Sequence, residues 1–339
     1  MKNLKLFDKL VFFVNSIAAV LLFLSYILPY FEPKKFAFLS VLSLTVPFLI
    51  LLNILFVVYW LLKVKKQLLL SLIVILIGYK YITSLYKFSS SKNVDDSENI
   101  SIMNYNVRLF NVFKWIPNEG IDKQIVEFIN DKQPDILSIQ EYRRDDDISF
   151  SGYHKFEEIA GDKVKNGQAI LSKFPIVNSG SIEFPESYNN AIFIDVVKGK
   201  DTIRVYNVHL QSMKIDANAD ALVKETSENL FKSVSKTFTM QQFQTELFLM
   251  HKKQCKYKMI ICGDFNNTAY SYVYKEIKGD LQDAFVEAGN GFGRTFDFKF
   301  FPVRIDFILV DEAFEINSFK TFDVSLSDHY PIMSRIKLK

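Results

Sequence analysis

Asp264 and Asn266 stand two residues apart, directly after four apolar residues at 259–262 and a glycine, Gly263. The apolar run predicts a buried strand and Gly263 its end. If the backbone stays extended, alternation puts both polar side chains on one side, an oxygen-rich corner on a rigid support. The same G-D-x-N string is also ordinary turn chemistry, so the pair gains meaning only from others like it. In 100–107, Ile102, Asn104 and Asn106 share a face; in 135–141, Leu137, Ile139 and Glu141 do. Glu141 thus continues an apolar stripe, where a carboxylate is costly to desolvate unless paired or bound to a cation. Val205, Asn207 and His209 share a face of 202–210. Asp306 sits within 304–310, on the face opposite Ile305, Phe307 and Leu309, and a buried carboxylate there needs a donor. Asp328 and His329 adjoin in S-D-H-Y-P, 327–331, before the last apolar stretch. Of the four histidines, His154 and His251 lack such surroundings and read as surface residues.

The elements that must position these side chains are short and numerous. Strands are predicted over 100–107, 136–140, 168–171, 191–197, 202–210, 259–262, 304–310 and 332–338, and helices over 120–132 and about 220–253. Many strands with interspersed helices imply two packed sheets with helices outside, an α/β sandwich. Residues 212–240 are long for a connection, the kind of excursion where specificity resides. Cys255 and Cys262 make neither a disulfide framework nor a zinc site, and Cys262 reads as core. No Gly-rich phosphate loop or internal repeat occurs.

N-Y-N-V (104–107), Q-E (140–141), N-V-H-L (207–210), G-D-F-N (263–266), R-I-D-F-I (304–308) and S-D-H-Y-P (327–331) occur in that order. Together they resemble the endonuclease/exonuclease/phosphatase superfamily of DNase I-like nucleases, abasic-site endonucleases, sphingomyelinases and inositol-polyphosphate phosphatases. The resemblance covers about residues 100–339. It implies a four-layered α/β sandwich that hydrolyses a phosphate ester with a divalent metal, Mg²⁺ or alternatively Mn²⁺. By similarity Glu141 is the principal metal ligand, with Asp328 a second ligand or its orienter and Asn106 nearby. Asp264 orients or deprotonates the attacking water, and Asn266 donates to the developing phosphorane oxygens. His329 hydrogen-bonds the scissile phosphate, Asp306 holds its tautomer and raises its pKa, and His209 assists the leaving group or binds phosphate. Oxygen donors of this kind suit Mg²⁺.

The front of the chain is different. Apolar runs occupy about 10–31, 36–62 and 67–86, each long enough for the roughly 20 residues a membrane helix needs. Aromatic residues near the run ends, Tyr30, Trp60 and Tyr86 among them, suit the interface with headgroups. The sequence therefore predicts a three-helix anchor over 1–87, a linker over 88–99, and a catalytic domain over 100–339. Lys2, Lys5 and Lys9, with Lys63, Lys65 and Lys66, place the N-terminus and the second connection on the cytoplasmic side. The catalytic domain then lies outside the cytoplasmic membrane.

Residues 1–87 hold ten Lys/Arg and two Asp/Glu, so a chain total of +3 leaves −5 for residues 88–339. An acidic domain suits polymeric nucleic acid poorly, because phosphate contacts dominate that affinity. A lipid or small organic phosphate is the expected substrate, and the bilayer the expected partner, with no protein partner legible. DNA or RNA is the alternative substrate. The alternative of another class, an inactive sandwich serving as a binding module, expects loss of Glu141, Asp264, Asn266 or His329, and all four are present.

Overall fold

The computed structural model describes residues 4–88, 91–145, 148–161, 166–213, 227–298 and 301–339. Fourteen strands form two six-stranded sheets and one short ribbon. The first sheet runs β13 (Phe314–Thr321), β14 (Ile332–Leu338), β2 (Ile100–Asn106), β3 (Ile136–Arg143), β5 (Asn166–Ser172), β4 (His154–Ala160). The second runs β10 (Gln282–Asp283), β12 (Asp306–Val310), β9 (Lys258–Asp264), β8 (Asp201–His209), β7 (Asn190–Lys198), β6 (Ile176–Glu183). Among the described residues, only β2–β3 and β8–β9 pair in parallel.

Between the sheets lies a dry core that includes Ile102, Ile136, Ile170, Ile194, Val205, Ile260, Cys262 and Ile308. Full burial of each such aliphatic side chain contributes about 1.5–3 kcal/mol. Helix α6 (Ile121–Lys132) covers the outer face of the first sheet with Ile121, Ile125 and Ile129, one turn apart. Helices α7 (Ser227–Lys252) and α8 (Tyr272–Lys278) cover the second through Phe248, Val273 and Ile277. A short fourth helix of this part, α9 (Ala284–Ala288), closes the sandwich near β13. The four layers expected from the sequence are present. The helix expected from about 220 is described from Ser227; residues 220–226, and most of the 212–240 excursion's first half, lie outside the described residues.

Three longer strands escaped the sequence reading: β4, β6 and β13. All three are sheet edges, where one side of the ladder faces solvent and no continuous apolar run is required.

The N-terminal part forms α1 (Leu6–Ser25), α2 (Ala37–Leu42), α3 (Val46–Leu62), α4 (Leu68–Ile77) and α5 (Tyr79–Leu85). Two stretches, Leu6–Tyr30 and Ala37–Leu62, are long and apolar enough to cross a membrane. The third, expected as one span over 67–86, is a pair of helices bent by 81° at Gly78, a broken span or a re-entrant loop. Ten residues of α4 rise only about 15 Å, half a hydrocarbon core. Tyr26 packs against the break. Its ring occupies the place where a Cβ on Gly78 would sit, 2.0 Å from that position, and its hydroxyl donates to the Val74 carbonyl at 3.0 Å. A buried polar knot ties α1, α3 and α4: Asn15 Nδ2 donates to Ser71 Oγ (2.5 Å), Ser71 Oγ to Asn53 Oδ1 (2.7 Å), and Trp60 Nε1 to Asn15 Oδ1 (2.9 Å).

The helices and the sandwich share one apolar cluster, with Leu22, Ile50 and Leu85 packed with Tyr270 and Phe301. Tyr270 Oη donates to the Tyr81 carbonyl at 3.0 Å, Lys34 N to Gln242 Oε1 at 2.8 Å, and Phe48 packs on Phe301 with ring centroids 4.4 Å apart. β1 (Tyr86–Lys87) pairs with β11 (Gly291–Phe292). The polar linker that follows is pinned too: Lys92 N donates to the Asn317 carbonyl at 2.7 Å and Lys337 reaches Asp96 at 2.7 Å. The turn at 32–35 and α5 therefore lie at the sandwich end of the helices. Asp8 pairs with Lys63 at the other end.

Candidate active site

Strand register assembles the polar corner. Asp264 closes β9; Asp306 opens the antiparallel neighbour β12 directly opposite it, and His209 closes the parallel neighbour β8 at the same level. One rung across three strands thus holds His209, Asp264 and Asp306. On the facing sheet, Asn106 of β2 stands opposite Gln140 of β3. Gly263 permits the close approach. Its φ is +150°, and a Cβ there would lie 1.9 Å from the Val208 carbonyl oxygen.

The sheets meet through amides. Gln140 Nε2 donates to Asn104 Oδ1 at 2.7 Å and to Asn207 Oδ1 at 2.5 Å. Asn106 Nδ2 donates to Asp264 Oδ2 at 3.1 Å and to Glu141 Oε1 at 3.3 Å. Asn104, Gln140 and Asn207 are fully buried, and no site assignment was made for them from sequence. The signal was there in N-Y-N-V, Q-E and N-V-H-L, but what these amides bond to depends on the packing of two sheets.

The turn at 327–331 brings in the last partner. Ser327 Oγ donates to the Asn106 carbonyl (2.9 Å) and accepts from His329 N (3.2 Å). His329 Nδ1 lies 2.9 Å from Asp306 Oδ2 and its Nε2 lies 3.7 Å from Asp264 Oδ2. Burial by itself would depress the imidazole pKa, but the Asp306 and Asp264 carboxylates outweigh it and hold the pKa well above the ordinary value. Asp264 is pushed up to about 7, mainly by burial, against the charge of His329. His209, 3.7 Å from Asp264, is driven down to about 3 by burial and by His329. It is therefore a neutral imidazole near neutral pH, able to donate a hydrogen bond and unable to supply a charge to phosphate.

Two site residues hold backbone conformations that L-residues seldom adopt, Glu141 with φ 49° and Asn266 with φ 49°. Glu141 is the extra residue of a bulge between β3 and β5, where the register shifts between Gln140 and Tyr142. The bulge turns its half-buried carboxylate toward Asn106. Asn266 N donates to Asp264 Oδ1 at 2.8 Å, while its Nδ2 serves Leu210 O (3.0 Å) and Asp264 Oδ2 (3.2 Å). Its amide hydrogens are thus spent on holding Asp264. After Asn106 the chain makes a left-handed turn through Arg108–Asn111, and Arg108 Nε lies 3.2 Å from Asp328 Oδ2.

Every residue singled out from sequence for chemistry lies in or beside this cluster. Among the described residues, Asp264, Asp306 and His329 form a group whose ligand atoms all fall within 4.8 Å of one another. Those three already satisfy one another by hydrogen bonding and charge. Glu141 receives one long hydrogen bond, from Asn106, and burial raises its pKa, so its charge is the least compensated. The two histidines outside the cluster diverge: His154 is exposed, while His251, read as a surface residue, is half-buried with Nδ1 3.2 Å from the Tyr206 hydroxyl.

The sequence profile of the Endonuclease/Exonuclease/phosphatase family matches residues 103–329. A second profile, described as a domain of unknown function, matches residues 8–85. No curated protein matches the sequence. Among solved structures the fold is similar to the human Nocturnin catalytic domain with bound sulfate, at 19% identity, TM-score 0.54, 71% of this chain and 94% of that one. A mannosyl-6-phosphatase of Bacteroides thetaiotaomicron aligns at 18% identity and TM-score 0.52, over 70% of this chain and 99% of that one. D. rerio TDP2 in complex with single-strand DNA product aligns at 16% identity and TM-score 0.52, over 71% and 100%. At these identities the structures speak for the fold.

Proposed function

The chain belongs to the endonuclease/exonuclease/phosphatase family, and from that premise we propose that it is a membrane-anchored, divalent-metal-dependent phosphoesterase. The observation that carries the reading is the buried Asp264–His329–Asp306 relay, with Asp264 held by Asn106 and Asn266. A relay of this kind pairs a base that titrates near neutrality with a fixed positive charge. Asp264 takes a proton from the attacking water as the water oxygen bonds to phosphorus. His329 sets its charge against the phosphoryl oxygens, with Asp306 fixing the ring. The ester P–O bond breaks, and the leaving oxygen keeps the electron pair and takes its proton from solvent. The His209 N–H donates a hydrogen bond to it. Asn106 and Asn266 position Asp264.

The donor set fits a hard divalent cation, because Glu141 and Asp328 offer carboxylate oxygens, and Asn106 adjoins them with its Nδ2 toward Glu141 and its Oδ1 accepting from Arg108 N at 3.1 Å. Glu141 and Asp328, with Asn106 beside them, would hold Mg²⁺ or Mn²⁺, which when bound supplies Lewis-acid polarisation of a phosphoryl oxygen. The helices Leu6–Tyr30 and Ala37–Leu62 support an anchor in the cytoplasmic membrane, and the Lys clusters at 2–9 and 63–66 support an extracytoplasmic sandwich. Lipid or small organic phosphates suit the net acidic domain better than polymeric nucleic acid.

The test is hydrolysis of bis(p-nitrophenyl) phosphate, p-nitrophenyl phosphate, phospholipids and DNA by the full chain in nanodiscs, with Mg²⁺, with Mn²⁺ and with EDTA. Release that stops in EDTA and in Asp264→Asn is the expected result. No release from any substrate overturns the reading in favour of a binding module, and release that survives Asp264→Asn overturns the assignment of Asp264 as the base.

A further inference from the structure

We infer that a cavity between the N-terminal helices and the sandwich receives the hydrocarbon chain of a lipid phosphate ester while its phosphate lies at the Asp264–His329 cluster. The inference names the substrate class of the site above and rests on the phosphoesterase reading.

Four observations converge on it. The cavity is built jointly: Leu44 and Phe48 of the Ala37–Leu62 stretch and Leu85 of α5 form one wall, and Ala269 and Phe301 of the sandwich form another. It adjoins the catalytic corner. Asn266 lines it, as does Phe296, whose ring lies 5.0 Å from the His329 ring. The walls are mostly hydrocarbon, with Ser84, Ser212, Asn266, Thr268 and Arg304 the polar residues among them. Arg304, the cation on the wall, is neutralised by Asp283 at 2.7 Å. Finally, the volume is about 270 Å³, against the ~150 Å³ of an apolar cavity that stays dry and takes a benzene ring.

The chemistry of such a space selects its occupant. Water needs two to four polar partners to settle in a cavity, and these walls offer few. A sugar or a nucleobase would leave its hydrogen-bonding groups unpaired against Phe and Leu, at a cost of a few kcal/mol each. An alkyl chain matches the walls at about 0.8 kcal/mol per methylene buried. Phe298, Phe301 and Pro302 also line a second, wider cleft that reaches Leu51 on α3 and Tyr330 beside His329. A chain leaving a bilayer along α3 would pass there on its way to the phosphate site.

The experiment uses the full chain in nanodiscs and two variants that fill the cavity from opposite walls, Ala269→Phe and Leu44→Trp. Neither residue belongs to the hydrolytic cluster. Alkyl 4-nitrophenyl phosphodiesters with methyl, hexyl and dodecyl chains give hydrolysis, and an alkyl phosphonate with a terminal diazirine gives photolabelling mapped by peptide mass spectrometry. The expected result is a kcat/KM at least tenfold higher for dodecyl than for methyl, lost in both variants while methyl-ester hydrolysis stays within twofold of wild type. Labels should fall on peptides holding Phe48 and Phe301, and filling should remove them. Equal kcat/KM for all chain lengths overturns the inference even where labelling occurs, because the cavity then holds a bystander lipid. Hydrolysis with no labelling of these peptides overturns it too and leaves the phosphoesterase reading intact. Labelling that filling abolishes, with no phosphodiester cleaved, overturns that reading and with it the substrate assignment. A variant that also loses methyl-ester hydrolysis is misfolded, and its partner on the opposite wall then decides.

Discussion

His329 sits between two carboxylates with its Nδ1 2.9 Å from Asp306 and its Nε2 3.7 Å from Asp264, and the sign of that arrangement is measurable. Asp306→Asn removes the nearer charge but keeps the shape, so the imidazole should lose its proton at lower pH. Titration of the ring by NMR on the metal-free chain should show its pKa falling, and the alkaline limb of the rate profile should move to lower pH with it. Asp306→Ala and His329→Ala should also combine far from additively in kcat, because residues acting as a unit lose most of their effect with the first removal. Additive losses with an unmoved ring titration would leave Asp306 a purely structural residue. Glu141 carries a separate expectation. Glu141→Gln should raise the Mg²⁺ or Mn²⁺ concentration needed for half-maximal activity by at least about tenfold, with an unchanged melting profile in EDTA. At this scale the sequence was informative, because polar residues ending apolar strands are visible as breaks in a period of two. The Asn104–Gln140–Asn207 network was not visible, since its bonds join residues 36 and 67 positions apart through the packing of two sheets.

Elements were legible in proportion to how deeply they are buried. Central strands such as β9 and β12, with neighbours on both sides, must be apolar throughout and announce themselves. The edges β4, β6 and β13 carry polar residues at solvent-facing positions and read as loops. Gly78 shows a different limit. A lone glycine in an apolar helical run is ordinarily tolerated at about 1 kcal/mol, and nothing local says that Tyr26, 52 positions earlier, takes its Cβ space. Gly263 is the glycine on which the site depends. Gly263→Ala should cost well over 1 kcal/mol, since its Cβ meets the Val208 carbonyl at 1.9 Å and φ is +150°. Gly199→Ala, with φ +63° and nothing within 4 Å, should cost only the ~1–2 kcal/mol of a left-handed L-residue. Thermal melts of the two variants compare them directly, and equal shifts would remove the steric account of the β8–β9 approach.

At the scale of the molecule, the two ends of the helical part are chemically distinct. The Asp8–Lys63 end lies beside Lys65 and Lys66, and the end holding the 32–35 turn touches the sandwich through Lys34 and α7. The positive-inside rule underlies our proposal that the sandwich lies outside the cytoplasmic membrane. An alkaline phosphatase fused after Lys339 should then be active, and a cytoplasm-dependent fluorescent reporter at the same place dark. The opposite pattern would reverse the orientation. The bend at Gly78 does not alter this expectation, because α5 and β1 already lie against the sandwich.

Within the segment joining helices to sandwich, Lys92 and Asp96 are bound to β13 and β14. With α1 and α3 in a bilayer, as proposed, these ties and the shared apolar cluster hold the catalytic corner at one height. For the proposed lipid substrate, encounter is then a search in two dimensions, governed by how crowded the leaflet is with the right headgroup. Diluting a lipid substrate with an inert lipid at constant bulk concentration should lower the rate in step with its mole fraction. Adding more vesicles of the same composition should leave the turnover of each embedded molecule unchanged.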